Sequence, residues 1–293
     1  MHERDFLGEL FEEHHAHLKA VAYRMLGSPA EADDAVREAW LKLARSDAAA
    51  IDDLGGWLTT VVGRVCLDTL RSRRLRGETP LKARLPDPVV REQAADPEQR
   101  ALMADSVGLA LLVVLESLNP AERLAFVLHD MFGMPFEEIA PIVDRAPAAA
   151  RELAGRARLR VRGAAPEPDP AAQRRVVDAF LTAARGGDLD GLVAILDPDV
   201  VLRADSGRAL PGGIRVLRGA AAVSGQAATF RRMATAAHAR PVLVNGAAGL
   251  VDTIDGRLIS IMSFTVTDER ITAIDILSDP DRLARLDLTA LEP

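Results

Sequence analysis

Gly133-Met134-Pro135-Phe136-Glu137-Glu138-Ile139-Ala140, followed by Ala146-Pro147-Ala148-Ala149-Ala150-Arg151-Glu152-Leu153-Ala154-Gly155-Arg156-Ala157-Arg158-Leu159-Arg160-Val161-Arg162, is the stretch whose reading decides the fold. Phe136, Ile139, Ala140 and Val143 fall at helical spacing, and Asp144-Arg145 predicts a break before a second helix. Pro147 then stands at a first helical position, where a missing N–H costs nothing. The spacing predicts that Leu153, Ala157 and Val161 share the buried face, with Arg151, Glu152, Arg156, Arg158, Arg160 and Arg162 turned outward. A helix-turn-helix whose second helix carries a run of arginines can lay that helix in the major groove and anchor it on phosphates. Nucleic acid is the first partner to consider, and a solvated basic helix without a ligand is the plain alternative.

Working outward, Phe6, Leu7, Leu10, Phe11, Leu18, Val21, Ala22 and Met25 form one stripe, which predicts a buried amphipathic helix ending near Gly27-Ser28-Pro29. The segment from Ala30 to Leu43 begins with acids, favoured at the positive end of a helix macrodipole, and ends near Lys42 and Arg45. A third helix, from Trp57 to Arg74, follows Asp52-Asp53-Leu54-Gly55-Gly56 and trails into arginines.

The acidic helix, the Trp-Leu helix with Asp68 and its arginines, and Pro120-Ala121-Glu122-Arg123 leading into the helix-turn-helix together resemble the two domains of an extracytoplasmic-function bacterial sigma factor. The resemblance implies that Asp33, Asp34, Arg37, Glu38, Trp40 and Leu41 dock on RNA polymerase core enzyme. It implies that Gly55, Gly56 and Trp57 flank the capture site for an unstacked base of the −10 element, and that Arg64, Arg71, Arg73 and Arg74 track the strand. Extruding a base costs a few kcal/mol of stacking, so a preformed pocket and an electrostatic groove are the physical needs. With 4% aromatic residues, few stacking platforms are on offer, and Trp57 and Trp40 read mainly as core. The −35 element falls to Arg145, Arg151, Glu152, Arg156 and Arg158. Two positions depart from the family pattern: Ala146 replaces a Ser or Thr cap, costing about 1 kcal/mol of helix stability, and Leu153 replaces a common basic residue.

The proline-broken segment from Gly77 to Pro88 and the polar run to Asp105 read as a stiff linker, and Gly163 to Pro170 as a second one. Beyond it, Val176, Val177, Phe180 and Leu181 predict a helix, and Asp188 to Leu196 a shorter one. Strand-like runs follow at 200–204, 241–244, 249–253, 258–266 and 271–277, with turns at Asp255-Gly256 and at 267–270. Two helices followed by a curved antiparallel sheet resemble the SnoaL-like, nuclear transport factor 2-like cone. The expected fold is therefore multidomain: two all-α helical sigma domains, the second a helix-turn-helix, then an α+β cone-shaped SnoaL-like domain. The boundaries expected are 1–76, a linker over 77–105, 106–163, a linker over 164–172, 173–286, and a tail over 287–293.

A sigma core with such a tail resembles the sigma-J type of extracytoplasmic-function factor, in which the tail is understood to regulate the core. The motifs of that type correspond here to Leu85-Pro86-Asp87-Pro88 in the linker, to Asp205, Gly207 and Arg208 in a degraded loop motif, and to Asp279, Pro280, Asp281 and Arg282 near the end. The resemblance implies that these loops meet the linker. His238 is the sole histidine of this half, and Asp252, Asp255 and Asp275 read as turn or edge residues, so a bound small-molecule effector is expected in preference to catalysis.

Net charge is −7, yet arginines concentrate over 64–76 and 145–162, so the free protein should bind DNA poorly until polymerase aligns both basic elements. Cys66 is the single cysteine and sits on an apolar helix, which reads as core. His14, His15 and His17 read as surface residues rather than a metal site. No apolar run reaches membrane-spanning length, and Met1-His2-Glu3-Arg4-Asp5 does not read as a signal peptide. The expectation is a cytoplasmic, non-enzymatic, cofactor-free initiation factor, monomeric when free, with core polymerase and promoter DNA as partners. A stand-alone helix-turn-helix regulator with an effector-binding cone, and a cyclase-type enzyme with a vestigial front half, are the alternatives.

Overall fold

In the computed structural model, which describes residues 2–47, 51–76, 84–92, 108–161, 170–207, 214–226 and 238–286, the helices begin and end at their chemical signals. Helix α1 (His2–Leu26) stops at Gly27, which takes a φ of 69°. Pro29 opens α2 (Pro29–Leu43), and the Asp53 carboxylate caps α3 (Leu54–Leu75) by accepting from the Gly56 N–H at 3.0 Å. Their apolar stripes converge: Leu18, Val21 and Met25 of α1, Ala35, Val36 and Leu43 of α2, and Leu58, Val62 and Cys66 of α3 are buried. Each fully buried large apolar side chain contributes about 1.5–3 kcal/mol. Burial pushes the Cys66 thiol up to about 12, in keeping with a core residue.

Helix α4 (Leu109–Glu116) precedes α5 (Pro120–Phe126), which starts with a complete capping box: Asn119 accepts from the helix while Glu122 reaches back. A π-helical turn, Val127–Met131, leads to α6 (Phe136–Val143), which ends where Asp144 adopts the left-handed conformation at φ 56°, and α7 (Pro147–Val161) follows. The face of α7 differs from the one predicted. Ala150, Ala154 and Ala157 are buried, whereas Leu153 and Val161 are only half-buried. Small side chains let α7 approach α5 closely, and that contact sets the rotation of the helix.

The chain divides into two compact units, Met1–Thr79 with Val114–Gly163, and Pro80–Val113 with Ala164–Pro293. The second is built on α8 (Pro170–Gly186), α9 (Leu189–Ile195) and a sheet comprising β1 (Val90–Glu92), β2 (Leu196–Asp205), β3 (Ile214–Arg218), β4 (His238–Val244), β5 (Ala247–Ile254), β6 (Arg257–Thr267) and β7 (Arg270–Leu277), closed by α10 (Pro280–Leu283). The strand order is β1-β4-β5-β6-β7-β2-β3, antiparallel except for the parallel β2–β7 pair, so the sheet is mixed rather than purely antiparallel. Type I′ turns are marked by positive φ at successive residues: Asn245-Gly246, Asp255-Gly256 and Asp268-Glu269. One face packs Val177 and Phe180 of α8 against Leu250, Phe264 and Ile274. The other buries Val90, Val242, Val244, Ile261 and Leu283 together. Two helices and a curved mixed sheet form the SnoaL-like architecture expected.

Val90 belongs to that second core, which corrects the linker reading. Residues 84–92 are extended, as their prolines dictate, but they are part of the second unit, and 90–92 pair with 242–244. A three-residue strand carries too little periodicity to announce itself. The linker stretches 77–83 and 93–107, the second linker over 162–169, and Arg208 lie outside the described residues.

Candidate functional site

Helix α2 presents the expected docking residues along one exposed side. Asp33 pairs with Lys19 at 2.6 Å, Glu38 with Lys42 at 3.0 Å, and Asp34 with Arg37 at 3.8 Å, all largely exposed. Leu41 is exposed, while Trp40 is half-buried against Phe11, with ring centroids 5.2 Å apart. Phe11, His15, Asp33, Arg37 and Trp40 line a cleft of about 370 Å³ between α1 and α2.

At the start of α3, Gly55, Gly56 and Trp57 are half-buried, and Arg64 and Arg71 are exposed. Arg73 is half-buried, an ion-pair partner of Glu31 that also donates to the Leu26 carbonyl. Arg74 donates to the Leu118 carbonyl at 3.2 Å. On α7, Arg151 and Glu152 are exposed, and the Arg151 guanidinium lies 5.3 Å from the centre of the Phe136 ring. The Arg156 Nε donates to Glu122 at 2.8 Å, and Arg158 pairs with Asp130, so these two arginines already hold carboxylates. Arg145 is exposed at the turn.

Within the first unit the helix-turn-helix packs on the three-helix domain. Gly63 of α3 faces Leu124, Leu128 and Ile142, and Phe132 contacts the edge of His17 at 5.0 Å. Burial, with the charges of His14 and Arg24, lowers the His17 pKa. Arg123, 2% exposed, donates to Glu116 at 2.8 Å and to the Arg24 carbonyl at 2.9 Å. His14, Gly55, Gly56, Phe132 and Glu138 line a common cleft of about 380 Å³. The glycines expected at the −10 capture site are therefore bordered by the turn of the other domain.

In the second unit, three separated motifs meet at one guanidinium. Arg282 donates through Nε to Asp87 at 2.7 Å, through one terminal nitrogen to Asp205 at 2.6 Å, and through the other to the Leu85 carbonyl at 2.6 Å. Asp205, fully buried, also accepts from the Leu85 N–H at 2.7 Å and the Gly207 N–H at 3.0 Å. Gly207, at φ 60°, lies so close to Asp279 that a Cβ there would collide with its carboxylate. Asp279 in turn caps α10, accepting from the Asp281 and Arg282 N–H groups, with Pro280 at the first helical position. Pro86 and Pro88 are buried beside Asp87. One further contact escaped the sequence reading: the Asn245 side chain accepts from the Val89 N–H at 3.0 Å, and the Asn245 backbone N–H donates to the Val89 carbonyl at 2.8 Å. The Asn245-Gly246 dipeptide between two apolar runs was the available signal.

Asp255 is a turn residue, but Asp252 and Asp275 are not turn or edge residues. Asp275 is buried in β7 and paired with Arg203 at 2.6 Å. Asp252 lies in β5, where burial raises its pKa against the lowering effect of the Ser260 hydroxyl bonded to it at 2.6 Å. Both stand in strands whose alternation hid which acids face inward.

Family comparison places Sigma-70 region 2 over residues 10–76 and Sigma-70, region 4 over residues 108–161. The ECF RNA polymerase sigma factor SigJ of Mycobacterium tuberculosis is 40% identical over 288 residues, covering 93% of this chain and 91% of that protein. The probable ECF RNA polymerase sigma factor SigI of the same species is 34% identical over 287 residues, covering 97% of each. The crystal structure of the M. tuberculosis SigJ superposes with a TM-score of 0.76 at 37% identity, over 96% of this chain and 99% of that one. The chain belongs to the extracytoplasmic-function RNA polymerase sigma factors.

Proposed function

We propose that the chain directs core polymerase to promoters through α2, opens the −10 element with α3 and its preceding glycines, reads the −35 element with α7, and is regulated by capture of its interdomain linker on the SnoaL-like unit. The observation that carries the regulatory reading is the grip on residues 85–92: two carboxylates and a backbone carbonyl held by Arg282, two hydrogen bonds to Asn245, and a strand added to the sheet. A segment held in this way is bound to the unit that carries Arg282 and Asn245.

The closeness of the two DNA-facing sets supports a resting form. Promoter elements at −35 and −10 are separated by about 25 base pairs, roughly 85 Å at about 3.4 Å per pair. Arg71 and Arg74 share one cleft with Arg145 and Arg156. The halves must part before both elements are engaged. The tail acts as a binding unit in this reading: His238 is exposed at the start of β4, where Thr253 approaches its carbonyl oxygen.

Run-off transcription with purified core polymerase tests the assignment. Arg151→Ala should cost about 1–3 kcal/mol at particular −35 bases. Arg282→Ala should change transcript yield by about fivefold or more, the low end of an allosteric coupling. Unchanged yield after linker release, confirmed by proteolysis within 84–92, would sink the regulatory reading. Absence of any transcript alongside tight binding of duplex DNA by the protein alone would instead make it a stand-alone regulator.

A further inference from the structure

A cleft of about 410 Å³ in the first unit brings together Arg71 and Arg74 of α3, Arg145 of the turn, and Arg156 of α7. Guanidinium groups stay charged throughout the accessible pH range, so four of them around one recess concentrate positive charge that favours an anion. The protein supplies counter-charge only partly. Glu122 is taken up by Arg156 at 2.8 Å and Arg160 at 3.4 Å. Asp68 and Asp144 stand 3.8 and 4.0 Å from Arg71 in exposed pairs, a geometry that stabilises little. Arg74 and Arg145 donate to backbone carbonyls, those of Leu118 and Asp144, and neither forms an ion pair among the described residues.

We propose that this cleft binds a compact di- or triphosphate group, held by guanidinium groups from both halves of the first unit. Its volume falls in the range of small-molecule sites. The planar fork of arginine matches phosphate oxygens two at a time, and Val143 and Leu153 line the recess beside the guanidinium groups. No aromatic side chain lines the cleft among the described residues, so a nucleobase would gain nothing there. The phosphate chain alone is the recognised group. Bound so, it joins Arg71 to Arg145 and holds the three-helix domain on the helix-turn-helix. Competition with promoter DNA for the same arginines follows if the promoter roles proposed above are right, but binding itself does not depend on them.

Calorimetric titration of the full-length protein at low salt, without divalent metal, provides the test. Inorganic tripolyphosphate and a nucleoside triphosphate should each bind saturably, one per chain, with affinities within about threefold of one another, and orthophosphate at least about tenfold more weakly. Arg71→Gln combined with Arg145→Gln, both at exposed positions that spare the core, should weaken tripolyphosphate binding about tenfold or more. Arg257→Gln, on an exposed hairpin of the other unit, should leave it unchanged. Binding should also raise the melting temperature of the parent chain. The proposal is overturned by non-saturable binding, by equal affinity for orthophosphate, by an equal loss in Arg257→Gln, or by a tenfold preference for the nucleoside triphosphate. Intact phosphate binding with no polymerase-dependent transcription would sink the promoter reading alone, and the reverse pattern would sink this site alone.

Discussion

The Nε–H of Arg123 donates to the carbonyl oxygen of Arg24 at 2.9 Å, which fastens α5 to the last turn of α1. Helix C-termini leave carbonyls without intrahelical donors, and a buried guanidinium is a strong partner for one. Its other contact, Glu116, is also buried. Arg123→Met therefore strands a carboxylate and should cost about 3–5 kcal/mol. Adding Glu116→Leu should restore much of the loss, because an apolar pair of similar size avoids the desolvation of both charges. Urea unfolding of the single and double variants measures this.

Arg282 serves three acceptors at once, and Asp205 beneath it has no access to water. Arg282→Ala should destabilise the second unit by about 3–5 kcal/mol, since buried Asp205 loses its cation while Asp87 keeps Arg84 at 2.8 Å. Arg282→Lys should recover only part of this, because an ammonium on a flexible stem cannot match the fork. Protease cleavage within 84–92 should quicken in the order parent, Lys, Ala. Equal rates for all three would separate the guanidinium from linker retention.

Asn245 does two jobs at φ 52°: it makes the hairpin turn and it accepts from the Val89 N–H. Asn245→Gly keeps the turn and deletes only the side-chain contact, for a loss of about 0.5–1.5 kcal/mol. Asn245→Val adds backbone strain and should cost more. Hydrogen exchange at the Val89 amide should accelerate in Asn245→Gly while the β4 and β5 amides keep their protection.

Asp252 has a pKa raised by burial, so the native state holds its proton to higher pH than the unfolded chain does. The unfolded chain then binds fewer protons across that interval, and stability falls as pH rises through the native pKa. Asp252→Asn can still accept from Ser260 and should be more stable than the parent at pH 7. The advantage should vanish below the ordinary aspartate range. Urea midpoints across the acid range test the sign.

Punctuation carried the legible part of the fold. Gly133-Met134-Pro135 and Asp144-Arg145 bracket α6, and strong period-2 runs at 258–266 and 271–277 became β6 and β7. The short clasp motifs were legible as a set, through their order along the chain. What stayed hidden is long-range: Val90 finds Val244 across more than half the chain, and nothing local specifies such a pairing. Alanine also misled, since Ala150 and Ala154 bury the face of α7 that volume alone would give to Leu153. Among the arginines, type and exposure were readable, but the acids that claim Arg73, Arg156 and Arg158 come from other helices.

The clasp also has a birth order. Val89 and its acceptor Asn245 are 156 positions apart, so at about 5–20 residues per second the ribosome needs roughly 8–30 s to make the second after the first. Before that interval ends both sigma halves, which finish at residue 163, have been made while Val89 still lacks its acceptor. A chain cut short before residue 245 would lack Asn245 and Arg282 alike, and with them the two anchors that hold Val89 and Leu85.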